Sequence, residues 1–140
     1  MEISDALDFV RQRHFGVLTT QRRDGRPQLS NVAYSVGDDG VISVSITDSR
    51  AKTQNLRRDP RASLHVTRDD FWAYCVLDCD VELLPVVTDP HDATADALVE
   101  YYRSANGEHP DWEDYRRAMV ADHRLLARLT PTHAYGIIAR

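Results

Sequence analysis

No run of apolar residues in these 140 is long enough to span a bilayer, and the opening stretch MEISDALDFVRQRH puts acids where a signal peptide has basic and then apolar residues. A soluble, cytoplasmic protein is expected. Cysteine is scarce. Cys75 and Cys79 lie four apart in what reads as one strand, so at ~3.3 Å per residue they are ~13 Å apart. That is too far for a disulfide, and two such thiols do not make a zinc site, which leaves both as core residues. The six histidines (His14, His65, His91, His109, His123, His133) fall in six different segments with no pair at metal-ligand spacing on one helix, so no metal is expected. There is no G-x-S-x-G elbow and no cysteine with a neighbouring histidine, so hydrolysis and acyl transfer lack candidates. A glycine-rich first turn and a regular alternation of strands and helices are also missing, which argues against a Rossmann fold.

What is present suffices for one domain over residues 1–140, since 15.9 kDa with 42% hydrophobic residues supplies a core of ordinary size. The net charge of −5 conceals a segregation. From Arg11 to Arg68 there are eleven Lys/Arg against five Asp/Glu, and from Asp69 to Arg140 six against fourteen. An acidic chain without a Lys/Arg run is a poor partner for nucleic acid, but its basic half can hold a small polyanion.

Along the chain, Ser4 is a candidate N-cap for a short helix with Ala6, Leu7, Phe9 and Val10 on its apolar side, ending before Gly16. Val17 to Gln21 and Gln28 to Val36 read as a hairpin about the Asp24-Gly25 turn. Neither face of the second strand is purely apolar, which suggests that it crosses from core to a site. A third strand, VISVSI, places Ile42, Val44 and Ile46 inward and leads into a basic helix that stops at Asp59-Pro60. Then come ASLHVT, a turn at Arg68-Asp69-Asp70, and a long strand from Phe71 to Leu84 with Ala73, Cys75, Leu77 and Cys79 on its core side. Asp89-Pro90 reads as a helix start, and Asp111 opens a second helix with Trp112, Tyr115 and Met119 at core spacing. LLARLTPTHAYGII returns to strand. Hairpin-linked strands with helices gathered behind them predict an antiparallel sheet, most simply a small barrel with helices outside.

One stretch, TDSRAKTQNLRRDPRAS from Thr47 to Ser63, admits two readings, an anion cradle and a solvated basic helix. Asp48 and Ser49 offer caps, yet Arg50 and Lys52 fall in the first helical turn, where the helix dipole disfavours cations. A bound anion compensates: exposed N–H groups, Ser49, Thr53, one Arg and one Lys make a phosphate cradle. The other reading is a solvated basic face. Gln28, Ser30, Asn31 and Ser45 flank the cradle on strands, and Tyr34, Trp72 and Tyr74 are aromatics able to stack on a planar ring.

The segments GVLTTQRRDGRPQLSNVAYSV and SVSITDSRAKTQNLRRDPRASLHV resemble the split-barrel flavin-binding superfamily related to pyridoxamine 5′-phosphate oxidase. More narrowly, these segments resemble its actinobacterial branch that binds coenzyme F420, and GEHPDWEDYRRAMVADHRLL and LTPTHAYG also resemble that branch. The resemblance implies a six-stranded antiparallel split barrel of FMN-binding type and a homodimer with two cofactor sites at its interface. It implies that the cofactor phosphate lies at Ser49, Arg50, Lys52 and Thr53, with Gln28, Ser30, Asn31 and Ser45 along the ring and ribityl chain. Trp72 and Tyr74 would reach across the interface, and Arg57, Arg58 or the Arg22/Arg23/Arg26 turn would meet an anionic tail. The implied activity is hydride transfer from reduced F420 to a small unsaturated substrate, with an FMN enzyme of the same fold or a cofactor-storage protein as alternatives. The C-terminal Arg/His segment of authentic pyridoxamine phosphate oxidases is not found near Arg140, so vitamin B6 oxidation is not expected.

Overall fold

The computed structural model describes residues 1–139; Arg140, the last residue of the expected domain, lies outside them. The chain runs α1 (Ile3–Arg11), β1 (Phe15–Gln21), β2 (Pro27–Ala33), β3 (Ser35–Val36), β4 (Ile42–Thr47), α2 (Ala51–Arg58), β5 (Arg61–Thr67), β6 (Tyr74–Leu83), α3 (Ala93–Asn106), α4 (Trp112–Ala121) and β7 (Arg124–Ile137). All strand pairs are antiparallel, in the order β2-β1-β5-β6-β7-β4-β3.

Among the described residues seven strands stand where six were expected, because the strand expected over Gln28 to Val36 divides at Tyr34. β2 pairs with β1 at one edge of the sheet, and β3 pairs with β4 at the other. A single residue therefore carries the chain from one edge to the opposite one, which curls the sheet into a split barrel. Tyr34 holds that crossing from inside. It is fully buried, its N–H donates to His14 O at 2.9 Å, and its hydroxyl donates to Val10 O on α1 at 2.7 Å. Burial also raises the Tyr34 hydroxyl pKa, so the proton of this bond stays in place.

The barrel core forms from the alternation that the sequence shows: Ile42, Val44 and Ile46 from β4, and Cys75, Leu77 and Cys79 from β6 with Ala73 just before it. Burial raises both thiols, Cys75 to about 11 and Cys79 to about 12, as fits core residues. A second apolar cluster lies outside the barrel, where Leu98 and Tyr101 of α3 and Tyr115 and Met119 of α4 pack over Leu126 of β7.

Several boundaries move for local reasons. Glu2, not Ser4, is at the N-cap of α1, one residue before the helix. Asp92, not Asp89, caps α3, accepting from Ala95 N–H at 2.8 Å, while its other oxygen accepts from Thr88 and Asp89 N–H and holds Asp89-Pro90 in a preceding turn. Phe71 has φ of 72°, so residues 71–73 turn, and β6 begins only at Tyr74. Asp111 caps α4 as expected, accepting from Asp114 N–H.

Candidate functional site

A cleft of about 650 Å³ opens between the barrel and the α3/α4 layer. β2 contributes Gln28, Ser30 and Asn31 to its wall, β4 contributes Ser45 and Thr47, and the start of α2 contributes Arg50 and Lys52. Tyr101, Tyr102, Tyr115 and Met119 line the helical side, and Arg124 enters from the first position of β7. The volume lies within the range of small-molecule and cofactor sites.

The start of α2 differs from the expectation in one instructive way. Neither Asp48 nor Ser49 caps it: Arg50 is the N-cap residue, with no side-chain hydrogen bond to the first turn and no acid within that turn. Asp48 instead pairs with Arg57 at 2.6 Å, and Ser49 is exposed and outside the cleft. Thr53 is fully buried, and its hydroxyl donates to Thr47 O at 2.6 Å, so it fastens α2 to the end of β4 and does not face the cleft. The helix N-terminus is thus left with its own partial positive charge and two cations beside it.

Polar residues behind the wall orient those in front. Asn55 Nδ2 of α2 donates to Thr20 Oγ1 of β1 at 3.2 Å, and Thr20 Oγ1 donates to Gln28 Oε1 at 3.0 Å. Gln28 Nε2 then donates to Ser30 Oγ at 3.1 Å. Buried Asn55 and Thr20 thereby fix the amide of Gln28 and, through it, the hydroxyl of Ser30.

The electrostatics are one-sided. No Asp or Glu lines the cleft, and among the described residues none pairs with Arg50, Lys52 or Arg124. The pKa of Lys52 is lowered, first by burial and then by the charges of Arg50 and Arg124. On the helical side, Tyr101 donates its hydroxyl to Ala33 O and Tyr115 to Leu98 O, both at 3.0 Å, and burial raises both phenols. Tyr102 packs against Tyr115 at 5.0 Å between ring centroids and meets Trp112 edge-on at 5.7 Å, giving the cleft an aromatic wall backed by further rings.

Six of the nine residues expected at a cofactor site (Gln28, Ser30, Asn31, Ser45, Arg50, Lys52) come together here; Ser49, Thr53 and Trp72 do not. Trp72 is 68% exposed on the turn before β6, its N–H donating to Asp70. Of the arginines considered for an anionic tail, Arg57 is ion-paired with Asp48 and Arg22 with Asp24, and Arg58 donates to Gln21 O and Asn55 Oδ1. Sequence reasoning missed the helical wall and Arg124. Tyr115 and Met119 were legible as core residues, which they are, but nothing local marks them as also facing a cleft.

Fold and cleft together define a split β-barrel protein with a cationic cleft under a helical cap. The chain belongs to the pyridoxamine 5′-phosphate oxidase family, which residues 4–137 match. It is similar in structure to a conserved hypothetical protein, Rv2991, from Mycobacterium tuberculosis, at 24% identity and a TM-score of 0.78 over 100% of this chain and 86% of that one. It is also similar to an F420 reductase, at 25% identity and a TM-score of 0.69 over 91% and 94% of the two chains. A heme binding protein from Mycobacterium smegmatis shares the fold at 18% identity and a TM-score of 0.71, over 96% of this chain and 53% of that one. No helix among the described residues is long and apolar enough to cross a membrane.

Proposed function

We propose that the chain is an F420-dependent reductase that passes hydride from the reduced deazaflavin to a small unsaturated substrate. The observation that carries this reading is the set of unpaired cations at the start of α2, which face a cleft with one polar strand wall and one aromatic wall. A phosphate needs the cations and free N–H groups, a ribityl chain needs amides and hydroxyls, and a planar ring needs the aromatic side. Similarity to an F420 reductase favours the deazaflavin over FMN, whose phosphate the same cradle suits.

On this reading Arg50 and Lys52 hold the phosphate while Gln28, Ser30, Asn31 and Ser45 accept and donate along the polar chain. When bound, the deazaflavin supplies the hydride chemistry, and the protein contributes orientation and a water-poor environment. The tyrosine wall would limit the access of water to a planar ring lying against it.

A second copy of the chain is the proposed partner. Phe15, Leu29, Tyr135 and Ile137 are exposed, and the strand register puts them on one face of the sheet with Val17, His65 and Tyr74. An apolar face of this kind is normally covered.

The test is a fluorescence titration with F420 beside FMN, followed by oxidation of the reduced deazaflavin in the presence of unsaturated acceptors. Tight F420 binding with turnover is expected. Preference for FMN would shift the assignment to a flavin enzyme, binding without any turnover would make it a storage protein, and binding of neither would overturn the cofactor reading.

A further inference from the structure

We propose that Arg124 is an anion-binding residue of the cleft, meeting from the β7 side the phosphate-bearing end of the ligand that Arg50 and Lys52 meet from α2. The inference deepens the cofactor reading and rests on the same cleft. Arg124 pairs across the ladder with Thr47, so the backbone of β7 delivers its side chain beside the loop that leads to Arg50 and Lys52. Once there, its hydrogen bonding is incomplete. Nη1 lies 3.5 Å from Ser45 Oγ, at the outer limit of a bond, and Nε is buried with no hydrogen-bond partner among the described residues.

Arg124 is only half-buried, so part of its guanidinium meets the water of the cleft while Nε does not. Buried polar atoms such as Nε are nearly always satisfied, and a charge partly withdrawn from water without a counter-charge carries a cost. The nearby phenols do not answer it, since Tyr101 and Tyr115 commit their protons to carbonyls and neither is ionised. Nor is the position a matter of fold, because the β4–β7 ladder is built from backbone groups. Arg128, four residues on and on the same face of β7, is exposed and does not line the cleft. The charge of Arg124 reaches Lys52, whose amine it helps to make less basic. Three like charges converge on one space, and an anion there relieves all three.

The inference predicts how charge, rather than shape, governs binding. Arg124→Gln removes the charge at similar size, and Arg124→Lys keeps it. The probes are inorganic phosphate, F420, and the unphosphorylated deazaflavin that carries only ring and ribityl chain; the readouts are the thermal midpoint and cofactor fluorescence. Inorganic phosphate is expected to raise the midpoint of the wild type and not that of Arg124→Gln. Without ligand, Arg124→Gln should be as stable as the wild type or more so, because it relieves repulsion. It should bind F420 about tenfold or more weakly and the unphosphorylated deazaflavin unchanged, and Arg124→Lys should regain most of the F420 affinity.

A variant that loses both deazaflavins equally and melts lower without ligand would make Arg124 structural and overturn the inference. So would a variant that matches the wild type toward both phosphate and F420. If the wild type binds phosphate but neither deazaflavin, the cofactor reading falls. The Arg124 assignment is then decided by whether Arg124→Gln still responds to phosphate.

Discussion

Asp48 and Arg57 form an ion pair of 2.6 Å that ties the loop before α2 to the last turn of that helix. Both side chains are more than a third exposed, so the pair contributes little to stability, on the order of 0–1 kcal/mol. Its consequence is where it puts a charge. Asp48 is the one acid between Thr47 and Arg58, and with its carboxylate engaged by Arg57 it leaves Arg50 and Lys52 unneutralised.

Arg57→Ala should therefore weaken binding of a phosphate-bearing ligand although Arg57 does not line the cleft. The freed carboxylate can turn toward the cations and compete with the ligand. A loss of about two- to tenfold is expected, with the thermal midpoint nearly unchanged. Isothermal titration beside a melting curve measures both. An unchanged affinity would mean that Asp48 stays away from the cations even when unpaired.

Lys52 should impose a pH dependence on binding. It is the single lysine of the chain, and its pKa is lowered in the ligand-free protein, so its charge is lost at a pH below the ordinary 10.5. The charged form is the one that holds an anion. Affinity should thus be level at pH values below the lowered pKa and decline as pH rises through it toward 10.5. Lys52→Arg should remove that decline, because a guanidinium stays protonated. Lys52→Ala should lose about 1.5 to 3 kcal/mol of binding at neutral pH with the fold intact. Titrations of the three proteins across pH check both points, and equal affinity of wild type and Lys52→Ala would remove this lysine from the site.

Thr20→Val should loosen the cleft from behind. It breaks the connection between Asn55 and Gln28 and leaves the buried Asn55 amide short of an acceptor, at a cost of about 1–3 kcal/mol. The amide of Gln28 then loses its fixed orientation, and the hydroxyl of Ser30 with it. A lower midpoint together with weaker cofactor binding is expected. A lower midpoint with unaltered binding would show that Gln28 and Ser30 are oriented without Thr20.

The barrel was legible because strand alternation is local. Ile42, Val44 and Ile46 announce a buried face within six residues, and β6 does the same with Cys75, Leu77 and Cys79. The break at Tyr34 was not legible, because Ala33, Tyr34 and Ser35 all read as strand. What divides them is the change of partner from β1 to β4, and the sequence carries no mark of which strands lie at the two edges. The caps show the same limit. Asp48, Ser49 and Asp89 each have the right chemistry to cap, and competition within the folded segment assigned Asp48 to Arg57 while three backbone donors between Thr88 and Ala95 selected Asp92.

For the site, the sequence by itself determined the charge: Arg50 and Lys52 at the opening of a helix with no acid in its first turn, and polar residues at alternate positions of the strands beside it. That much follows from helix geometry and strand period, which act over a few residues. Only the tertiary structure decided what stands opposite. Tyr101, Tyr102, Tyr115 and Arg124 face the same cleft as Lys52 because α3 and α4 pack on β7 and β7 pairs with β4. The β4–β7 pairing joins residues about eighty positions apart, and chain-local chemistry does not encode such distances.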